Sequence, residues 1–251
     1  MTTILLVCLG LILAPFAFAP LLIRATHKSR ARPVFEAVDL ETRPVPEEPW
    51  WFFQRTLNAL QSAGFREAGY LHQEGQVPNV ETWALLLENR PAQEAAIAVA
   101  MHSTAAVAVQ SRYVEFSTTF EDGVNVSANN SDVLPVFAPV PEHHVWQFPE
   151  VSDPTRLHRI HQALVARLGN STSRRYPPEG EFRAFLEDSM ARELARQLGT
   201  GYLFLGPEGT FYRPTWKGAF LMTWKLLWPV SNLLKARRRQ RSAQVLAELG
   251  I

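Results

Sequence analysis

The side chains best suited to chemistry in this sequence are its histidines, and four of the seven are spaced so that they could act together. His158 and His161 lie three apart, and His143 and His144 are adjacent a short way upstream. Positions i and i+3 are neighbours on a helix surface, so His158 and His161 could offer two imidazole nitrogens to one cation. A hydrolytic zinc site needs three protein ligands and a metal-activated water, and the chemistry in view is therefore metal-assisted hydrolysis. However, His161 falls inside the apolar stripe Leu157, Ile160, Leu164 and Leu168. A histidine there reads more simply as a hydrogen-bonded core residue, and the sequence names no convincing third ligand.

Other routes to catalysis close quickly. Glu115, Glu121 and Asp122 could serve as acid and base, but Glu115 alternates with Val114 and Phe116, as a solvated strand face would. The sequence contains no G-x-x-x-x-G-K-[ST] phosphate loop, no G-x-S-x-G elbow and no H-E-x-x-H zinc helix. Glycines 199, 201, 206 and 209 are too irregular for a dinucleotide loop. The single cysteine, Cys8, excludes an internal disulfide framework and a Cys-rich zinc site. No cofactor is expected.

The elements that must position these residues predict an α+β fold with a mainly antiparallel sheet and flanking helices. Pro49 suits the start of a helix carrying Phe53, Leu57 and Leu60, closed by Gly64. Strand-like runs follow at 65–72, 80–87, 95–102 and 105–110. The strongest alternation spans Arg112–Asn129, where Asp122-Gly123 predicts a hairpin turn. A short strand is possible at 146–148, with His143-His144 in the loop before it. Asp153 and Pro154 read as the cap and first residue of the next helix. A second helix carries Phe182, Phe185, Leu186, Met190, Leu194 and Leu198 up to Gly199, and a small hairpin follows at 202–213.

Both ends of the chain point to a membrane. Ile4–Ile23 is a run of twenty residues without a charged side chain, and about 20 apolar residues span a bilayer core of ~30 Å as a helix. Residues 1–24 are therefore expected to be a transmembrane anchor. A cleaved signal peptide, with Ala17-Phe18-Ala19 as its small-x-small site, is the competing reading. It lacks a basic leader, and Pro20 would follow the cut. Arg24, Lys28, Arg30 and Arg32 follow the run, which puts the N-terminus outside and the rest in the cytoplasm. The sequons at Asn125, Asn129 and Asn170 then carry no meaning, and a glycan on any of them would overturn that orientation.

Residues 25–48 read as a Pro-rich linker with a possible strand near 34–40, residues 49–206 as the cytoplasmic α+β domain, and residues 207–251 as an amphipathic, polybasic membrane-interface segment. In the last, Ala219, Met222, Leu226, Val230 and Leu233 share one face of a continuous helix. Lys217, Lys225, Asn232 and Lys235 share the other, and Trp216, Trp224 and Trp228 flank them. Tryptophans at interface depth and lysines toward water describe a helix lying in the headgroup plane. Lys235, Arg237, Arg238, Arg239 and Arg241 would attract anionic lipid, so lipid is favoured over nucleic acid as the partner.

The net charge of +1 conceals this layout. Residues 24–32 hold four basic and no acidic side chains, residues 209–241 hold eight and none, and the remainder carries an excess of acid. The leading expectation is a membrane-anchored, non-enzymatic binding or scaffold module, with a protein partner in reach. A membrane-associated hydrolase using the histidine cluster is the alternative.

Overall fold

The computed structural model describes residues 14, 16–77, 80–103, 108–169 and 172–251. The chain folds into two compact units, each assembled from several stretches of sequence.

The larger unit comprises Val34–Asp132, Pro141–Glu187 and Arg239–Ile251. Its centre is a seven-stranded sheet of β2 (Glu36–Val38), β3 (Arg66–Val77), β4 (Val80–Asn89), β5 (Glu94–Ser103), β6 (Ala108–Thr119), β7 (Asn125–Asn129) and β8 (His143–Gln147), in sequence order across the sheet. Every neighbouring pair is antiparallel except β7 and β8, which run parallel. The fold is therefore α+β with a mainly antiparallel sheet. At the expected hairpin, Gly123 takes a φ of 86° and the Asp122 carboxylate accepts the Val124 N–H at 3.1 Å, the geometry that only a small residue enters without strain.

Helices α2 (Glu47–Gln61) and α3 (Pro154–Leu168) pack on one face of this sheet. Phe53 and Leu60 of α2 and Leu157, Ile160 and Leu164 of α3 are buried against Leu85, Leu87 and Phe116. Leu168, expected on the apolar stripe of α3, is exposed in its last turn. The start of α3 is as its residues dictate. The Asp153 carboxylate accepts the Thr155 and Arg156 N–H groups at 3.0 and 3.3 Å, and Gly169 closes the helix in the left-handed conformation. The sheet's other face also buries Leu71, Ala84, Leu86 and Val99, so β4 and β5 are apolar on both sides and show little alternation.

The smaller unit comprises residues up to Pro33, Val133–Val140 and Asp188–Arg238. It contains α1, helical over residues 16–26, and a three-stranded sheet in the order β1 (Ser29–Arg30), β10 (Phe211–Pro214), β9 (Leu203–Leu205). The rest of it is built from the later part of α4 (Phe182–Gly199), α5 (Trp216–Leu226) and the start of α6 (Val230–Leu249). Residues 25–48, expected as an extended spacer, thus supply β1 and β2. Tyr202, Leu203, Tyr212 and Met222 form this unit's small core. Gly218 sets how closely α5 approaches β9, since a Cβ there would stand 2.0 Å from the Tyr202 carbonyl oxygen.

Most of the apolar run Ile4–Ile23, and with it the expected transmembrane helix, lies outside the described residues. Among those described, no helix is long and apolar enough to cross a membrane. The single C-terminal helix is corrected. It is two helices, because Pro229, which has no N–H to continue the ladder, separates α5 from α6.

Candidate functional site

The four candidate histidines occupy two different places in the larger unit. His143 and His144 belong to strand β8 and not to a loop, held by pairing with Asn125 and Val126 of β7. Successive strand residues face opposite sides of a sheet, so these two cannot grip one ion together. His143 Nε2 lies 3.3 Å from Ser127 Oγ.

His158 and His161 both lie on the buried face of α3. His158 Nε2 lies 2.6 Å from Glu94 Oε2. Because a carboxylate only accepts, His158 must donate. The second Glu94 oxygen receives Arg174 at 3.2 Å, and the same guanidinium nitrogen donates to the Ala92 carbonyl. His161 Nε2 lies 2.9 Å from Thr118 Oγ1, while its buried Nδ1 has no hydrogen-bond partner among the described residues. The Phe116 ring lies 5.1 Å from that of His158 and 6.1 Å from that of His161, and Phe65 meets His158 edge-on at 4.9 Å.

The electrostatics follow from this packing. Burial drives the His161 pKa down to about 3, against a smaller upward pull from Glu94 and further depression by His158 and Arg174. The ring is therefore neutral at any physiological pH. Burial alone would raise the Glu94 carboxyl. The hydrogen bond and charge of His158, with the Arg174 guanidinium, outweigh it and hold Glu94 below its ordinary value. Glu94, Thr118, His158 and His161 are all buried, so the cluster ties α3 to β5 and β6 and offers a substrate no approach. Among the described residues, no three His, Cys, Asp or Glu side chains are grouped to hold a metal ion. Sequence reading missed Glu94, Thr118 and Arg174. Only Glu94, a lone acid opening an Ala-rich strand, left any signal there. Glu115 is likewise not a free carboxylate, because Asn129 of β7 donates to it at 3.1 Å.

The membrane-directed residues divide differently from the helical-wheel expectation. Ala219 and Met222 are buried, whereas Leu226 and Leu233 of the same proposed face are exposed. Lys225 does not point to water. Its ammonium donates to the Val136 and Phe137 carbonyls at 3.1 and 2.9 Å and lies 5.2 Å from the Tyr202 ring centre, and burial lowers its pKa. Lys217 donates to the Thr200 carbonyl at 2.9 Å.

The outer face of α5 instead carries Trp216, Phe220 and Trp224, at i, i+4 and i+8, all exposed. Phe220 was the member overlooked, although its spacing was visible. Phe16 of α1 meets the Trp224 ring edge-on at 5.7 Å, and the Arg24 guanidinium lies 4.6 Å above the Trp216 ring. Trp228 is exposed beyond the end of α5. In the basic stretch, Arg238 donates to the Val133 carbonyl at 3.4 Å, Arg239 pairs with Glu150 at 3.3 Å, and Arg241 lies 4.5 Å above the Trp146 ring. Lys235 is half-buried and Arg237 exposed.

No known family model matches this chain, and neither the curated proteins nor the solved structures give a significant match.

Proposed function

We propose that this protein is a membrane-tethered, non-enzymatic binding or scaffold module. Its α+β unit lies in the cytoplasm and takes a protein partner, and its apolar N-terminal run and basic C-terminal helix hold it to anionic lipid. The observation that carries this reading is α1. It is the described end of the twenty-residue apolar run, and it turns Phe18, Leu21 and Leu22 to solvent. A helix of a water-soluble body would bury that face; a helix leaving a bilayer has no need to. The basic residues that follow α1 support the cytoplasmic orientation. The internal commitments of His158 and His161 support binding over catalysis.

Two of the three sequons lie in β7, at Asn125 and Asn129, with Asn129 buried. Asn129 is too buried to carry a glycan in this fold. The test is alkaline carbonate extraction of membranes from cells expressing the full chain. The protein should remain in the pellet, and deletion of residues 4–23 should release it. Release of the full chain to the supernatant would overturn the reading.

A further inference from the structure

Between Lys217 and Lys235 the sequence carries one charged side chain, Lys225. Its ammonium is turned inward onto two backbone carbonyls. The outward surface of this stretch therefore presents no charge, while Phe220, Trp224, Leu226, Trp228 and Leu233 are all exposed. Their exposure runs from 41% at Trp224 to 68% at Trp228. Scattered exposed apolar residues are ordinary, but five of them within fourteen residues that present no outward charge mark a contact with something else.

The contacts between α1 and α5 show the direction in which that surface faces. Phe16 meets Trp224 and Arg24 meets Trp216, so the two helices run antiparallel with their ends matched. Eight residues separate the contacts in each helix, about 12 Å. One end of this ladder, at Phe16, is the end that the uncharged run from Ile4 precedes in the sequence. The other leads to Lys28, Arg30 and Arg32 on α1's side and to Lys217 on α5's side. Polarity thus rises from purely apolar to cationic over roughly the depth of one leaflet's inner boundary, with a tryptophan and an arginine stacked where the change occurs. Acyl chain, then interfacial aromatic and cation, then water is the order a bilayer imposes.

We propose that α1, α5 and the first turn of α6 form one membrane-embedded edge: Phe18, Leu22, Trp224, Leu226 and Trp228 lie among the acyl chains, and Trp216, Arg24 and Lys217 lie at the phosphates of anionic lipid. This rests on the tether proposed above and adds a second, non-spanning insertion beside it. It also reverses the helical wheel, because the Ala219/Met222 face belongs to the protein and the aromatic face to the lipid. The inward Lys225 is what leaves that face without charge.

The test uses the full chain reconstituted into phosphatidylcholine/phosphatidylglycerol vesicles whose acyl chains carry bromine, a short-range quencher of tryptophan. The seven tryptophans divide usefully, with Trp50, Trp51, Trp83 and Trp146 in the larger unit and Trp216, Trp224 and Trp228 in the smaller. In a Trp216→Phe/Trp224→Phe/Trp228→Phe variant, bromolipid quenching should fall at least about twofold, as interfacial depth requires. In a Trp50→Phe/Trp51→Phe/Trp146→Phe variant the quenched fraction should rise, which gives the same result without relying on the first variant to fold. Flotation of each sample separates the possible failures. Protein that floats with its vesicles but shows equal quenching in all variants overturns the embedded edge and leaves the tether standing. Protein that does not float overturns both. Floating protein with no quenching and a cross-linked dimer through α5 would give this face to a second copy and also overturn the proposal.

Discussion

Replacing His161 with glutamine should flatten the acid side of this protein's stability profile. The folded ring has a pKa of about 3 against 6.5 in the unfolded chain. Between those values the unfolded state binds a proton that the folded state refuses, so stability must fall as pH drops below the unfolded value. At pH 7 the unfolded imidazole is mostly neutral and the cost is a few tenths of a kcal/mol; at pH 5 it is almost fully protonated and the cost reaches about 2 kcal/mol. No discount for solvent applies, because the ring is completely buried beside Phe116. Glutamine keeps a group that can hydrogen-bond Thr118 but does not titrate. The assay is urea unfolding of the full chain in detergent, followed by far-ultraviolet circular dichroism at pH 7 and pH 5. Wild type should lose about 2 kcal/mol more than His161→Gln between the two. His27, whose pKa is also lowered by burial, adds a slope of the same sign to both proteins and cancels in the difference. Glu94 does not interfere, since a carboxyl held below its ordinary value loses its contribution only at more acidic pH. Equal losses in the two proteins would refute the placement of His161 as a neutral core residue.

Three other substitutions test separate parts of the structure. Glu94→Gln removes the buried charge facing His158 and Arg174 and should cost about 3 kcal/mol, read by thermal melting; a loss within error would show the pairing to be incidental. Gly218→Ala places a methyl against the Tyr202 carbonyl, and about 3 kcal/mol of destabilisation is expected from forcing α5 away from β9. A melting curve like that of wild type would contradict the close approach. Gln197→Ala removes the side chain that both donates to and accepts from the Ala138 backbone. It should cost about 2 kcal/mol and make residues 133–140 the earliest site of limited proteolysis.

Local chemistry made much of the larger unit legible. Asp122-Gly123 needed only turn preferences, and Asp153-Pro154 needed only the demands of a helix start. Parts of the fold set by distant partners were not readable. Glu94 and His158 are separated by 64 positions, and nothing near either announces the other. His143-His144 became strand only because β7 supplies a parallel neighbour. Ala95–Ala100 read as a strand even without alternation, because both faces of β5 are buried. In the C-terminal segment the error lay in the premise. A wheel assumes one continuous helix, and Pro229 ends that assumption. It also assumes that lysine seeks water, whereas Lys225 found two carbonyls inside. The aromatic spacing Trp216, Phe220, Trp224 was present in the sequence throughout, but its meaning depended on which face the core had already taken.

The most direct test of the membrane-embedded edge is photolabelling of the full chain in bilayers containing lipid with a diazirine at the end of its acyl chain, with adducts mapped by mass spectrometry. Adducts are predicted in the apolar run and α1, and again between Trp216 and Leu233, with the β-sheet unit unlabelled. Labelling that stops at the apolar run and spares Trp216–Leu233 would contradict the embedded edge, and labelling spread over the β-sheet unit would contradict the tethered orientation as a whole.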